Sequence, residues 1–258
     1  MAVTGTVTEA LALAERAARE GGRVLASIPR SSAVITADTR RDVKLEADRR
    51  SEDRIIDVIA ADSSVPVLAE ERVDEAPSVA VDGLRWIVDP LDGTMNYLSG
   101  IPFCCVSIAL WDGDKPLVAA VYDFGRDEMF SSVAGQGAWL NGLPIRVGSA
   151  SAEQAVLCTG FPAGTDFGTP ELSRFVSQVR AFRKVRMLGS AALSLAYVAA
   201  GRADAYYERD IRIWDVAAGL GLVQAAGGEV LRSSSPVPHA LTVYAHNGAC
   251  VWPERTFS

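Results

Sequence analysis

Cysteine and histidine are both scarce. The 258-residue chain has four cysteines, Cys104, Cys105, Cys158 and Cys250, and no CxxC pair among them. That spacing excludes the common thiolate zinc and dithiol redox motifs, and Cys104 and Cys105, adjacent in an apolar strand-like run, are expected to be buried free thiols. The two histidines, His239 and His246, both fall in the C-terminal region, so neither is needed as a catalytic acid or base. A G-x-S-x-G elbow, the usual sign of a serine nucleophile, is missing. No apolar run reaches the roughly 18 residues of a membrane helix, and the best candidate, "MLGSAALSLAYVAAG", is broken by Gly and Ser. The start "MAVTGTVTEALALAERAAREGG" lacks the basic segment and apolar core of a secretion signal, so a soluble, cytoplasmic protein is expected. Positive charge is also in deficit, 25 Lys and Arg against 32 Asp and Glu for a net charge of −7. With no block of Lys or Arg forming a stripe, a primary nucleic-acid or anionic-membrane binder is disfavoured.

What the chain does have is core. It is 49% hydrophobic and 22% charged, ordinary for a globular protein, and no internal repeat or low-complexity segment interrupts it. Helical spacing of Leu11, Ala14, Ala18 and Leu25 predicts a helix from Thr8, as N-cap, to about Ile28. The Ser, Thr and Arg-rich stretch from Pro29 to Asp42 reads as a loop. A second helix is predicted from about Asp48 to Ala60, with Ile55, Ile56 and Ile59 inward. The period then shortens, and Val65 to Ala69, Trp86 to Val88, Phe103 to Trp111, Leu117 to Tyr122 and Glu128 to Val133 read as strands of a mostly antiparallel meander. The glycines of "AGQGAWLNGLPI" mark tight bends. Beyond about Gly148 strands and helices alternate: a strand at 155–159, a helix at 170–182, a strand at 184–187, a helix at 190–200, the strand "ADAYYE", the helix "WDVAAGLGLVQAAGG" and the strand "ALTVYA". An α/β half, 148–258, packed on an α+β half, 1–147, is the expected organisation, one compact unit with its site between the halves.

The acids at the ends of these elements raise a physical question. In "WIVDPLDGTMNY", Asp89 and Asp92 lie three residues apart, and two such carboxylates repel unless positive charge sits between them. Pro90 forces Asp89 out of helical geometry, leaving its carboxylate at the strand's end. Gly93 and Thr94 open a helix or turn whose free amides suit a phosphate. Glu70 and Glu71 close the strand of "VPVLAEER", and Asp215 follows Trp214 where a helix begins. Each has an ordinary alternative: a solvated strand end for Glu70 and Glu71, an N-terminal cap for Asp215. Taken together, acids at the ends of several apolar elements make a coherent site for hard, oxygen-loving divalent cations such as magnesium.

With those residues in view, the sequence resembles the inositol monophosphatase family. "WIVDPLDGTMNY" matches the signature D-P-L/I-D-G-T-x-N/F, and "WDVAAGLGLVQAAGG" matches a second, W-D-x-A-A-G ending in A-G-G. The Glu pair about twenty residues before the first signature, "GQGAWLNGLPI", "CTGFP" and "GRADAYYE" match too, so the resemblance runs from roughly residue 8 to 230. It implies a layered αβαβα sandwich of the fructose-1,6-bisphosphatase-like type. It also implies magnesium-dependent, lithium-sensitive hydrolysis of a small phosphate monoester by in-line attack of a metal-activated water, with two or three Mg2+ per site, and a homodimer. Carried over residue by residue, Glu70, Asp89 and the Leu91 carbonyl would hold one metal, and Asp89, Asp92 and Asp215 a second. Glu70, Thr94 and Asp48 would prepare the water, with Asp48 bonded to Thr94. Gly93, Thr94, Ser190 and Ala191 would meet the phosphorylated substrate, and Glu208 its ring hydroxyls, although spacing alone also allows Glu208 to be a surface strand end.

Two departures from the family pattern stand out. Lys44-Leu45 replaces the usual Val-Thr before Asp48, which bears on a third, weaker metal. The segment after "AAGGEVLR" is short, and its closing element is reduced. Asn96 and Glu208 favour myo-inositol monophosphate or a related cyclitol phosphate as substrate. The rivals are histidinol phosphate or another small phosphate monoester, and a regulatory protein that keeps the fold without the catalysis.

Overall fold

The computed structural model describes residues 6–29, 34–38, 43–73, 83–161 and 168–251. The first helix, α1 (Val7–Ser27), starts two residues earlier than the spacing predicts, because Thr6 and Glu9 form a reciprocal capping box and Thr6 rather than Thr8 is the cap. Strand β1 (Ile35–Asp38) lies in the stretch expected to be loop, where it pairs antiparallel with β2 (Val43–Leu45). The remainder of that expected loop, 30–33 and 39–42, lies outside the described residues, as does the reduced C-terminal segment beyond 251. Helix α2 (Glu46–Asp62) follows, and Asp48 in its first turn accepts the Leu45 N–H at 2.8 Å.

A seven-stranded sheet comes next. Its strands are β3 (Val67–Ala69), β4 (Leu84–Asp92), β5 (Cys105–Asp112), β6 (Lys115–Asp123), β7 (Glu128–Val133), β8 (Gly137–Leu140) and β9 (Leu143–Ile145), neighbours in that order. All pairings after β3–β4, which is parallel, are antiparallel, as the meander reading expects. The short helix α3 (Thr94–Ser99) leaves the end of β4. The second sheet has the order β11-β10-β12-β14-β13. It is assembled from β10 (Val156–Thr159), β11 (Lys184–Arg186), β12 (Ala205–Arg212), β13 (Glu229–Ser234) and β14 (Ala240–His246). Helices α4 (Thr169–Ala181), α5 (Ala191–Ala199) and α6 (Ile213–Ala225) alternate with these strands.

The period-two side-chain rule sorts these elements into layers. Trp86 and Val88 face one way, into a core shared with Leu13 and Ala14 of α1 and Ile55 and Ile59 of α2. Ile87 between them faces the other way, into a core with α5, α6 and Cys158 and Tyr206 of the second sheet. The opposite face of that sheet, Leu157, Ala205 and Tyr207, packs on Phe182 and Ala181 at the end of α4. The result is the αβαβα order of layers that the family resemblance implies. All four cysteines are free and buried within it. Among the described residues no helix is long and apolar enough to cross a membrane.

Candidate metal and substrate site

Three of the expected acids meet at one point. Glu70 follows β3, Asp89 lies on β4, and Asp215 is in the first turn of α6, so three separate elements deliver them. One carboxylate oxygen from each falls within 4.8 Å of the others, with Asp89 buried and the other two partly exposed. Parallel pairing of β3 and β4 sets Ala69 beside Val88, and the Glu70 N–H bonds the Val88 carbonyl at 3.2 Å, which carries Glu70 up to Asp89. Strand β4 runs on through the Asp-Pro-Leu-Asp sequence instead of stopping at Val88. It can do so because the register slips between the pairs Asp89↔Ser107 and Asp92↔Cys105, so Pro90 owes no ladder hydrogen bond.

The electrostatics match the crowding. Desolvation first, then repulsion from Glu70, Asp92 and Asp215, pushes the Asp89 carboxyl well above the usual carboxylate range. Asp215 is raised likewise by desolvation and by its acidic neighbours. Three hard oxygen donors whose ionised forms repel one another in a partly dry pocket are the donor set a divalent cation such as magnesium takes. The residues present therefore fit the group that the sequence implies.

Asp92 sits beside this trio but is held differently. Its Oδ2 accepts the Ser190 hydroxyl and the Ala192 N–H, each at 2.6 Å, so the first turn of α5 grips it. Desolvation raises its pKa to about 6, against the pull of those bonds. Ser190, expected at the substrate, thus commits its proton to Asp92 while also capping α5 through the Leu193 N–H. Ala191 lies next to it, buried. Gly93 takes the left-handed conformation at φ 93°, which turns the chain from β4 into α3. The Thr94 hydroxyl donates to the Leu91 carbonyl at 3.1 Å. The family resemblance pairs Thr94 with Asp48, and in the structure Asp48 accepts the amide of Leu45. Leu45 itself is fully buried, whereas the Lys44 side chain lies outside the described groups.

On the far side, Glu208 on β12 is buried rather than a surface strand end, with a pKa lifted to about 7 by desolvation. Its Oε2 accepts the Tyr206 hydroxyl at 2.6 Å. A Cβ on Gly160 would lie 2.7 Å from that same oxygen, so a larger residue there would push the Glu208 carboxylate out of its present place. Neither partner was legible from spacing, although both lie in the "CTGFP" and "DAYYE" matches. Asn96, used above to choose a substrate branch, is buried and donates to the carbonyls of Phe103 (2.8 Å) and Leu188 (2.7 Å), stitching α3 to the chain that leads into α5. His246 packs flat on Tyr244 at 4.7 Å and accepts the Gly248 N–H, a structural setting in which burial lowers its pKa.

Comparison with known proteins places these features in a family. The model of the inositol monophosphatase family matches residues 6–254. The Nus factor SuhB of Salmonella typhimurium is 38% identical over 224 residues, spanning 85% of this chain and 84% of that protein. Among solved structures, the inositol monophosphatase of Anabaena superposes with a TM-score of 0.80 at 34% identity, covering 94% of this chain and 92% of the other. The suppressor protein SuhB of Bartonella henselae gives 0.83 at 33% identity, with coverage of 93% and 95%.

Proposed function

Because this chain belongs to the inositol monophosphatase family, whose members are generally metal-dependent, we propose that it is a magnesium-dependent phosphate monoester hydrolase acting on myo-inositol monophosphate or a related cyclitol phosphate. The convergence of Glu70, Asp89 and Asp215 carries this reading, since three carboxylates gain nothing from such proximity unless a cation joins them. Magnesium held there would supply the charge that lowers the pKa of water and steadies a leaving alkoxide. In this reading Glu70, Asp89, Asp92 and Asp215, with the Leu91 carbonyl, are its ligands. A carbonyl has two lone pairs, so Leu91 can keep its bond to Thr94 while serving as one. Glu70 and Thr94 orient the attacking water, and Asp48 supports them from the start of α2. The amides at Gly93 and Thr94, with the Ser190 and Ala191 turn, face the phosphate. Glu208 keeps one oxygen on Tyr206 and offers the other to substrate hydroxyls, which selects polyols over flat or apolar alcohols. The rival substrate is histidinol phosphate.

Phosphate release from a panel of inositol, histidinol, nucleotide and sugar phosphates, with and without magnesium, tests this. Release from inositol 1-phosphate only when magnesium is present is expected, and silence across the panel refutes the catalytic reading. Asp89→Asn removes the carboxylate that would serve both proposed cations, so turnover is expected to drop by several orders of magnitude with the far-ultraviolet dichroism unchanged.

A second reading, a regulatory role independent of catalysis, is favoured by the name Nus factor borne by the SuhB relatives and by four exposed cations, Arg180, Arg183, Lys184 and Arg186. None of the four has a carboxylate partner among the described residues, a local excess of positive charge on an acidic chain. Equal rescue of a deletion strain by the wild type and by Asp89→Asn would support it.

A further inference from the structure

Helix α2 buries one stripe, Asp48, Ser51, Glu52, Ile55 and Ile59, polar at its N-terminal end and apolar beyond. The apolar half packs in the core, as its spacing predicts. The polar half has no such explanation, because a fully buried serine and glutamate cost free energy unless their partners matter. Those partners are backbone groups beside the proposed metal ligands. The Ser51 hydroxyl donates to the carbonyl of Pro90, between Asp89 and Leu91, at 3.2 Å. Glu52 Oε2 accepts the N–H of Glu71, immediately after Glu70, at 2.8 Å. Its other oxygen lies 3.4 Å from Arg72 Nε, which keeps that side chain from turning away.

These contacts begin where the sheet stops holding the two segments together. The β3–β4 pairing ends at Ala69 and Val88, closed by the bond from Glu70 N–H to the Val88 carbonyl, and past it the register of β4 against β5 slips. From there the spacing of Glu70 and Asp89 is no longer fixed by a ladder. We propose that Ser51 and Glu52 are positioning residues: adjacent on one rigid helix, they hold the Glu70 and Asp89 segments at the separation that lets one cation bridge both carboxylates. This rests on the metal reading of the site, and neither residue touches the substrate or the cation. A scaffold residue of this kind acts on affinity by fixing where the ligands stand before binding.

The test uses the full chain. Glu52→Ala removes the acceptor, and Glu52→Gln keeps a carbonyl oxygen able to take the Glu71 N–H. Folded Glu52→Ala is expected to bind magnesium, measured by calorimetry, at least about tenfold more weakly, the size usual for groups that orient ligands. Glu52→Gln should stay within about threefold of the wild type, a rescue that a loss of stability alone would not produce. In magnesium-free protein, hydrogen exchange at the Glu71 amide should speed up in the alanine variant and not in the glutamine variant. Wild-type affinity in folded Glu52→Ala overturns the proposal, as does unchanged exchange at that amide. If Glu52→Ala does not fold, Ser51→Ala takes its place, and unchanged affinity there overturns it equally. Absence of magnesium heat from the wild type would sink the metal reading instead, and the exchange measurement would still decide whether the clamp exists.

Discussion

Glu208 shows how much of a residue's chemistry depends on its immediate neighbours. The Tyr206 hydroxyl pulls its pKa down while burial pushes it up, and burial wins, leaving it at about 7. Removing that hydroxyl in Tyr206→Phe should raise the Glu208 pKa further and free its rotamer. The expected result is about a tenfold rise in KM for inositol 1-phosphate with a smaller change in kcat, the order of one lost hydrogen bond to a charged group. The acidic limb of the KM profile should move to higher pH, and an unmoved profile would disconnect Glu208 from the substrate. Other side chains depend on their neighbours in the same way. Asn96 serves two buried carbonyls, and Glu52, which stands in the charged run "EADRRSED", is fully buried. The clue was its place on the same helical stripe as Ile55 and Ile59, but a stripe does not reveal what an acid on it will meet.

At the scale of elements, α5 and α6 do more than fill the middle layer. Each brings its first turn to the acids: α5 caps itself with Ser190 and holds Asp92, and α6 carries Asp215. Ser190→Ala removes a helix cap and a bond to a buried carboxylate together, so a loss of about 1–3 kcal/mol is expected in urea unfolding of the metal-free protein. A loss below about 0.5 kcal/mol would mean the cap is replaced by water. The two helices also approach closely, since a Cβ on Gly219 would lie 2.4 Å from Leu195 Cβ. Gly219→Val should therefore destabilise the protein by at least about 1–3 kcal/mol, the cost of overpacking a filled core, seen as a lower urea midpoint. Helices α1, α2 and α4 were legible from their amphipathic periods, α5 and α6 from apolar small-residue runs between turn signals, and strands β3 to β7 from short periods, whereas β8 and β9 lie in the glycine-rich stretch that reads only as tight bends. Strand β13 and the extension of β4 through Pro90 were not. The first is a six-residue strand with half its positions exposed, and the second depends on a bulge that only the pairing with β5 allows.

For the whole molecule, the buried acids tie stability to pH and to cations. Asp92 at about 6, and Glu52 and Glu208 at about 7, hold protons in the folded chain that the unfolded chain releases near pH 4. The folded state therefore binds more protons between about pH 4 and 7, and stability must fall as pH rises through that window. In a chelator, the thermal midpoint is expected to be higher at pH 5.5 than at pH 8, and saturating magnesium should remove or reverse the order. A chelated protein that is more stable at pH 8 would contradict the burial of these acids. The sequence by itself determined which residues are acids, that they sit at the ends of apolar elements, and the alternation of an α/β half after an α+β half, since periodicity and turn chemistry act between near neighbours in the chain; the αβαβα layering came only through the family resemblance. Only the tertiary structure decided that residues 70, 89 and 215 share one point, that Ser190 belongs to Asp92, and that α2 spans the two acidic segments. Those facts come from how layers stack and registers slip, and no local pattern encodes a distance between segments so far apart in the chain.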